Sequence, residues 1–450
     1  MSTSTSERRR PAEAGTAARL GGTRSQTALG LLRLLLIPVG AGAYMIVARH
    51  LGERQFGKFA LALSIASLLT TLMGAGLPQL ITKEAALRTG SHDATVFGLC
   101  GVQLVSTVVV WLVWIACATP VLKALDSGHN TTYINLIAVA AAQGTLFVTC
   151  AAILKGKEDS VGAQLSESIL LTILPAMGFL GGALSATMHR NQDALFLRAA
   201  SLAIGCIFVT VRALRMLRRP PGRRIALSLP AGTRPAAVSL LIVSLLFWAQ
   251  AQLPLWLVAS RAGEWRTSQF AAAQRMMLLA QIPAAIVLTM TSAPLARASD
   301  PRHRDDTQRL ITPIIRRGAL QSLLLVAVML AASPRLLPWL WTVRSSGFVL
   351  LMVILCATAL VQVLTGPCVL ALTLGGLEHH VVGSVGAGSA AMVAVSVLLG
   401  GDPRMAAATG GLVGVVVSNA IATAVVHREL GISTLAWFGP NRLSTRGAPR

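Results

Sequence analysis

Residues 44–85 read YMIVARHLGERQFGKFALALSIASLLTTLMGAGLPQLITKEA. One apolar run ends in the polar stretch ARHLGERQFGK, residues 48–58, and a second begins at once and stops at GAGLP, residues 74–78. Each run is close to the roughly 20 residues that an α-helix needs to cross the hydrocarbon core of a bilayer. The pair reads as a membrane hairpin: two helices, a tight basic outer turn and an exit built from small residues. The rest of the chain reads as further hairpins stacked around it.

Composition points the same way. Of 450 residues, 54% are hydrophobic and 12% charged, and the mean hydropathy is +0.66. Soluble domains carry about 25% charged residues, so lipid is the solvent for most of this chain. A net charge of +22 would point to nucleic acid in a soluble protein. Here the basic residues sit in short loops between apolar runs, where the positive-inside bias puts them. No basic patch alternates with aromatics, so no nucleic-acid partner is expected. Cys100, Cys117, Cys150, Cys206, Cys356 and Cys368 fall in or at the end of apolar runs, without CxxC spacing. They read as small buried hydrophobes rather than disulfides or a metal site, and no cofactor is expected. Arg8, Arg9 and Arg10 lack the apolar region and cleavage site of a signal peptide.

About twelve spans follow, at 27–48, 57–78, 95–117, 132–154, 165–188, 194–211, 237–259, 270–293, 318–340, 347–373, 380–400 and 405–427. The fifth and sixth form a tight hairpin, and the sixth is the shortest and carries Arg198. Residues 1–26 are rich in Ser, Thr, Ala and Arg and read as a disordered tail. Lys and Arg in alternate loops number 26 on one side and 8 on the other, with five inside or near the ends of spans. That split predicts both termini in the cytoplasm. The densest loop contains RALRMLRRPPGRR (212–224). It divides the chain into a first half, 27–211, a basic linker, 212–236, and a second half, 237–427, followed by a tail, 428–450. The linker reads as an inside anchor that meets anionic lipid headgroups.

The two halves echo one another. After the first span the chain reads Ala48-Arg49-His50-Leu51-Gly52-Glu53 and reaches Phe56. After the seventh it reads Ser260-Arg261-Ala262-Gly263-Glu264 and reaches Phe270. An arginine, then Gly-Glu, then Phe at matching places points to an internal repeat, as in many transporters, with chance matching the rival reading.

Charged residues within a membrane are costly and mark candidate sites. Arg33, Arg198, Arg275 and Arg335 lie inside spans. Each either lines a cavity or snorkels to the headgroups; Arg335, beside Pro334 and near Trp339 and Trp341, fits snorkelling. The 17 acidic residues lie in tails, loops or span ends, Glu167 and Glu378 being nearest to the interior. Without a mid-membrane carboxylate, a cation-coupled relay lacks its usual part. No outer loop is long enough for a catalytic domain, and no paired acids, Ser/His set or metal cluster appears, so an enzyme is not expected. His379 and His380 lack further ligands nearby. A cationic interior suits an anion such as pyrophosphate, which arginine grips with a forked pair of hydrogen bonds. Interior amides, among them Gln250, Gln252 and Gln281, either hold hydroxyl-rich groups or bond neighbouring helices.

At residue level the sequence resembles the polysaccharide flippases, the Wzx-type oligosaccharide translocases of the multidrug/oligosaccharidyl-lipid/polysaccharide exporter superfamily. Ala48, Arg49, Leu51, Gly52, Phe56, Gly57, Gly76, Leu77 and Pro78 match the family's opening hairpin. Phe270-Ala271-Ala272-Ala273-Gln274-Arg275 and Pro294 resemble its eighth helix, while Ser268 or Gln269 stands where a glycine is usual. Gln252-Leu253-Pro254-Leu255 replaces an acidic–basic pair often found in the seventh. The resemblance implies an all-α integral membrane protein with two six-helix lobes around a central cavity. It implies a transporter that flips a polyprenyl-pyrophosphate-linked oligosaccharide across the cytoplasmic membrane. It also implies that Arg33, Arg49 and Arg275 lie on cavity helices. Its partners would be the lipid-linked anionic glycan, membrane lipids and other polysaccharide-assembly proteins. A lipid II flippase and a multidrug/cation antiporter of the same superfamily are the alternatives.

Overall fold

The computed structural model describes residues 11–437, except 87–89, 125–129, 158, 160–161, 164, 218–232, 298–303 and 342–346. Every regular element among them is helical. Among the described residues, eight helices are long and apolar enough to cross a membrane, or nine if the bent pair Phe348–Leu364 and Cys368–Leu374 is one span. The chain is a multi-pass membrane protein.

Helix α1 (Pro11–Gly74) contains one non-helical residue, Gly52, at φ 71° and ψ 171°. The chain doubles back there, since the rings of Tyr44 and Phe59 lie 6.2 Å apart. Fifteen residues of straight helix would separate them by about 22 Å. Helix α7 (Thr233–Ala280) does the same at Gly263, with φ 72° and ψ 179°, and Gln274 Nε2 donates to the Ala251 carbonyl at 2.7 Å. The echo in sequence is therefore an echo in backbone. Both turns use a conformation that only glycine adopts freely.

Between these hairpins lie α2 (Leu77–Ala86), α3 (Gly90–Ala124), α4 (Thr131–Gly156), α5 (Leu171–Leu184) and α6 (Asn191–Met216). A π-helical turn, Leu165–Leu170, leads into α5. The second half continues with α8 (Ile282–Arg297), α9 (Arg304–Trp341), α10 (Phe348–Leu364), α11 (Cys368–Leu374), α12 (Glu378–Leu398) and α13 (Pro403–Val425). Helix starts follow capping chemistry. Asn130 accepts from Thr132 N, Asp193 accepts from His189 N and Arg190 N, and Asp402 accepts from Arg404 N with Pro403 at the first turn. Helices α12 and α13 meet through glycines: a Cβ at Gly388 would stand 2.5 Å from the Gly414 carbonyl.

Four sequence expectations change. Helix α1 begins at Pro11, so residues 11–26 are helical, with proline in the first turn and Ala-rich sequence behind it; residues 1–10 lie outside the described set. The sixth span is a full helix of 26 residues, α6, and the shorter element is α5 with 14. The basic linker narrows, since α6 runs to Met216 and α7 starts at Thr233; residues 218–232 lie outside the described set. Residues 431–437 of the expected tail fold back under the second half. Ala436 N donates to the Leu364 carbonyl at 3.0 Å, Gln308 pairs with both the N–H and the C=O of Ser433, and Arg316 Nε donates to the Ala436 carbonyl. These bonds satisfy the last carbonyl of α10, where the helix breaks.

Packing defines the two lobes. One continuous core surrounds the two glycine turns and draws on both halves, from Val47, Phe56 and Phe59 to Phe270, Phe348 and Ala407. At the opposite end lie two smaller cores: one runs from Leu77 to Leu217 and takes in Ala237 at the start of the second half, and the other, Val287 to Ala436, belongs to the second half. The core drawn most widely from both lobes is at the turn end.

Candidate functional site

The contact between lobes runs along the two hairpins. At the turn end, Lys58 Nζ lies 2.6 Å from Glu264 Oε1, and Tyr133 donates its hydroxyl to the Lys58 carbonyl. Gly57 permits this approach, because a Cβ there would stand 2.5 Å from the Glu264 carbonyl. Further along, Trp248 and Trp256 pack edge-on at 5.2 Å and donate their indole N–H groups to Ser67 and Ser64 of the first lobe, both at 2.9 Å. At the far end Gly76 meets α7, where a Cβ would stand 2.4 Å from the Ala237 carbonyl.

Within this seam is a stack of a guanidinium on an aromatic ring. Arg275, on the returning arm of α7, lays its guanidinium over the Tyr44 ring at 4.2 Å. Arg198 lies on α6 of the first lobe. One Arg198 nitrogen, Nη1, is buried without a partner. Among the described residues neither arginine enters an ion pair. Tyr44 is held by Phe59 and Phe179, ring centroids 6.2 and 6.4 Å away.

Arg275 also lines a cavity of about 660 Å³. Its walls come from the second half alone. Arg275 brings the charge and Gln250, Gln252, Gln274, Gln281, Gln362 and Asn419 bring amides. Two helix breaks face it: Gln281, between α7 and α8, donates to Gln362 Oε1 at 2.8 Å, close to the Thr365–Pro367 break between α10 and α11. Asn419 Nδ2 donates to Thr365 Oγ1 at 2.9 Å. No Asp or Glu lines this cavity.

Of the sequence candidates, Arg275, Gln250, Gln252 and Gln281 line one cavity, and Arg198 is not among its lining residues. Arg49 is exposed at the end of its arm, outside the cavity wall. Arg33 falls on α1, and its side chain lies outside the described set, as do those of Arg335 and Glu167. The sequence reading missed Tyr44 as a site residue. The chain has two tyrosines, and a phenol inside an apolar run has to find a polar partner, so its position alone carried the signal.

This architecture is the fold of the MOP superfamily transporters. It superposes on an inward-facing multidrug resistance MATE family transporter of that superfamily with a TM-score of 0.64, at 13% identity, covering 88% of this chain and 94% of the other. The lipid II flippase MurJ in an inward closed conformation gives 0.64 at 10% identity, with 90% and 88% covered. The Vibrio cholerae MATE transporter VcmN gives 0.57 at 14%, with 91% and 98% covered. By sequence, residues 24–161 match the family described as polysaccharide biosynthesis protein. No curated protein matches the chain by sequence.

Proposed function

We propose that this protein flips a polyprenyl-pyrophosphate-linked oligosaccharide across the cytoplasmic membrane for surface polysaccharide export, by alternating access, with both termini in the cytoplasm. The observation that carries this reading is Arg275, stacked on Tyr44 of the first lobe, in the wall of an amide-lined cavity that holds no carboxylate. Guanidinium groups hold the pyrophosphate by forked hydrogen bonds. The glutamine and asparagine amides meet sugar hydroxyls, and the polyprenyl tail stays in lipid. The polysaccharide family match over 24–161 supports the substrate class. A cavity wall without acids weighs against a cation antiporter. The fold of MurJ supports a second reading with the same pyrophosphate handle, a lipid II flippase; viability after gene deletion would argue against an essential sole flippase of that kind.

Single Arg198→Ala and Arg275→Ala variants are expected to lower surface polysaccharide at least tenfold at normal membrane protein level, while Arg49→Ala retains export. Losing a charged partner of a bound phosphate costs about 1.5–3 kcal/mol, roughly ten- to a hundredfold. Full export by both variants would end the cationic-site reading.

A further inference from the structure

The amides of the cavity wall differ in what they already hold. Asn419 on α13 is tied to Thr365 at the end of α10. Gln274 closes the α7 hairpin on the Ala251 carbonyl, and Gln250 reaches the Val385 carbonyl on α12. Gln252 lines the wall without a side-chain bond among the described residues to orient it. Gln281 and Gln362 hold each other, Gln281 Nε2 to Gln362 Oε1 at 2.8 Å, and make no other side-chain bond among the described residues. One bond between two primary amides uses one N–H and one oxygen. It leaves one NH2 group and one carbonyl oxygen unspent, whichever way round the amides are turned. The backbone beneath each glutamine is pinned from behind. Ser322 on α9 donates to the Ala280 carbonyl at 3.0 Å, and the Gln281 N–H is shared between the Met277 and Leu278 carbonyls, each at 3.2 Å. Past Gln362, a Cβ at Gly366 would stand 2.3 Å from the Thr434 carbonyl, and Ala436 N donates to the Leu364 carbonyl. Arg275 lines the same wall, six residues before Gln281, about 9 Å along the helix axis. One cavity thus presents a charge at one place and a fixed donor–acceptor pair at another.

We propose that Gln281 and Gln362 together read the sugar next to the pyrophosphate, and so set which lipid-linked glycans the protein accepts. A sugar hydroxyl both donates and accepts. Two neighbouring hydroxyls therefore complete the pair, one accepting from the NH2 group and the other donating to the carbonyl oxygen. A site that hydrogen-bonds a substrate hydroxyl rejects an analogue lacking it far more strongly than an apolar wall rejects a changed shape, because its own polar groups are left unpaired. Arg275 does not discriminate in this way, since every polyprenyl pyrophosphate carries the same anion. This rests on the glycan reading of the cavity and narrows the six amides of its wall to two. Arg275 supplies affinity for the class of cargo, and the Gln281–Gln362 pair supplies the choice within it.

The test uses the purified full chain in detergent, titrated by calorimetry with farnesyl pyrophosphate and with farnesyl pyrophosphate carrying one sugar: glucose, galactose or N-acetylglucosamine. The quantity read is the affinity for each sugar-bearing lipid relative to the bare lipid in the same protein, a ratio that partial loss of folded protein leaves unchanged. The native chain is expected to favour at least one sugar about tenfold over the bare lipid, the worth of two neutral hydrogen bonds. Gln281→Met and Gln362→Met keep the length and helix preference of the side chain and remove its amide. Each is expected to lower that ratio about three- to tenfold, with bare-lipid affinity within about twofold of native. Because either change breaks the pair, the double variant should lose little more than either single one. A ratio unchanged in both variants overturns the proposal. Equal weakening toward bare and sugar-bearing lipid would make the pair a tie between helices and overturn it too. If the native chain prefers none of the sugars while Arg275→Ala loses bare-lipid binding, the sugar-reading idea falls and the anion reading stands. If Arg275→Ala binds the bare lipid as well as the native chain does, the anion reading itself fails.

Discussion

Asp159 sits in the connection after α4 and does three things with one carboxylate. It accepts from Arg212 Nε at 2.7 Å and Nη2 at 3.0 Å, and from the Gly162 N–H at 2.9 Å. The Arg212 bonds hold its pKa below the ordinary carboxylate range. A depressed acid stabilises the fold above that range and loses its contribution as pH falls through the folded value. The melting temperature is therefore expected to be insensitive to this group between about pH 5 and 8 and to fall below about pH 4. Asp159→Asn should melt lower at pH 7 and lose that acid-dependent difference, which a pH series of melting curves on both proteins checks. Asp402 is depressed by Arg404 in the same direction, so some acid sensitivity remains in the variant. Tyr44 shows the opposite kind of residue. Its charged partner, Arg275, lies 231 positions away on α7. Nothing local in the sequence announces it.

At the scale of elements, the hairpins were the most legible part of the chain. Apolar runs of membrane length fix where helices form, and all twelve expected segments fall on helix over most of their length. The echo Arg, Gly-Glu, Phe located both turns, because a sharp reversal between two helices needs a conformation that glycine alone adopts freely. What hydropathy could not show is where a helix breaks without leaving the apolar phase. The break at Gln281 and the bend at Thr365–Pro367 lie inside single apolar segments. Their broken backbone is compensated by tertiary bonds such as Ala436 N to Leu364 O. Amides were legible as a set, whereas the wall they share was not, since that depends on how α7, α10 and α13 pack. The turn glycines give a clean test of backbone strain. A Cβ at Gly52 or Gly263 would meet nothing within 4 Å. Gly52→Ala and Gly263→Ala are thus expected to destabilise by about 1–3 kcal/mol each, from the dihedral penalty alone. Thermal unfolding in detergent should give similar losses for the two; a neutral result at either would mean the turn relaxes.

For the whole molecule, the lobes are held together along the seam. The core shared by both halves and the Lys58–Glu264 pair hold the turn end, and Gly76 packs on Ala237 at the other. If the lobes must part at the turn end to release cargo, fixing them there should stop export. In a background with the six native cysteines replaced, the pair Lys58→Cys and Glu264→Cys joined by a short thiol cross-linker is expected to abolish surface polysaccharide. A reducible linker should restore it on reduction. Unchanged export with complete cross-linking would mean that the lobes do not separate there. The salt bridge itself is a modest contributor, about 1 kcal/mol for a partly exposed pair, so its loss alone should leave export measurable.

Five residues beyond each turn glycine stand Gly57 and Ser268, and these two meet, with a Cβ at Gly57 falling 3.2 Å from the Ser268 nitrogen. Six residues beyond stand Lys58 and Gln269; one residue beyond stand Glu53 and Glu264. A two-fold relation would set Gln269 opposite Glu53 as Lys58 stands opposite Glu264. Instead the Gln269 oxygen accepts from Arg404, at the corner where Arg404 also grips Asp402. Two identical chains meeting across an axis carry every contact in duplicate and cannot alter one copy alone. A single chain that holds both halves can, and this one keeps the ionic lock on one side of the axis while its twin has become an internal brace of the second lobe.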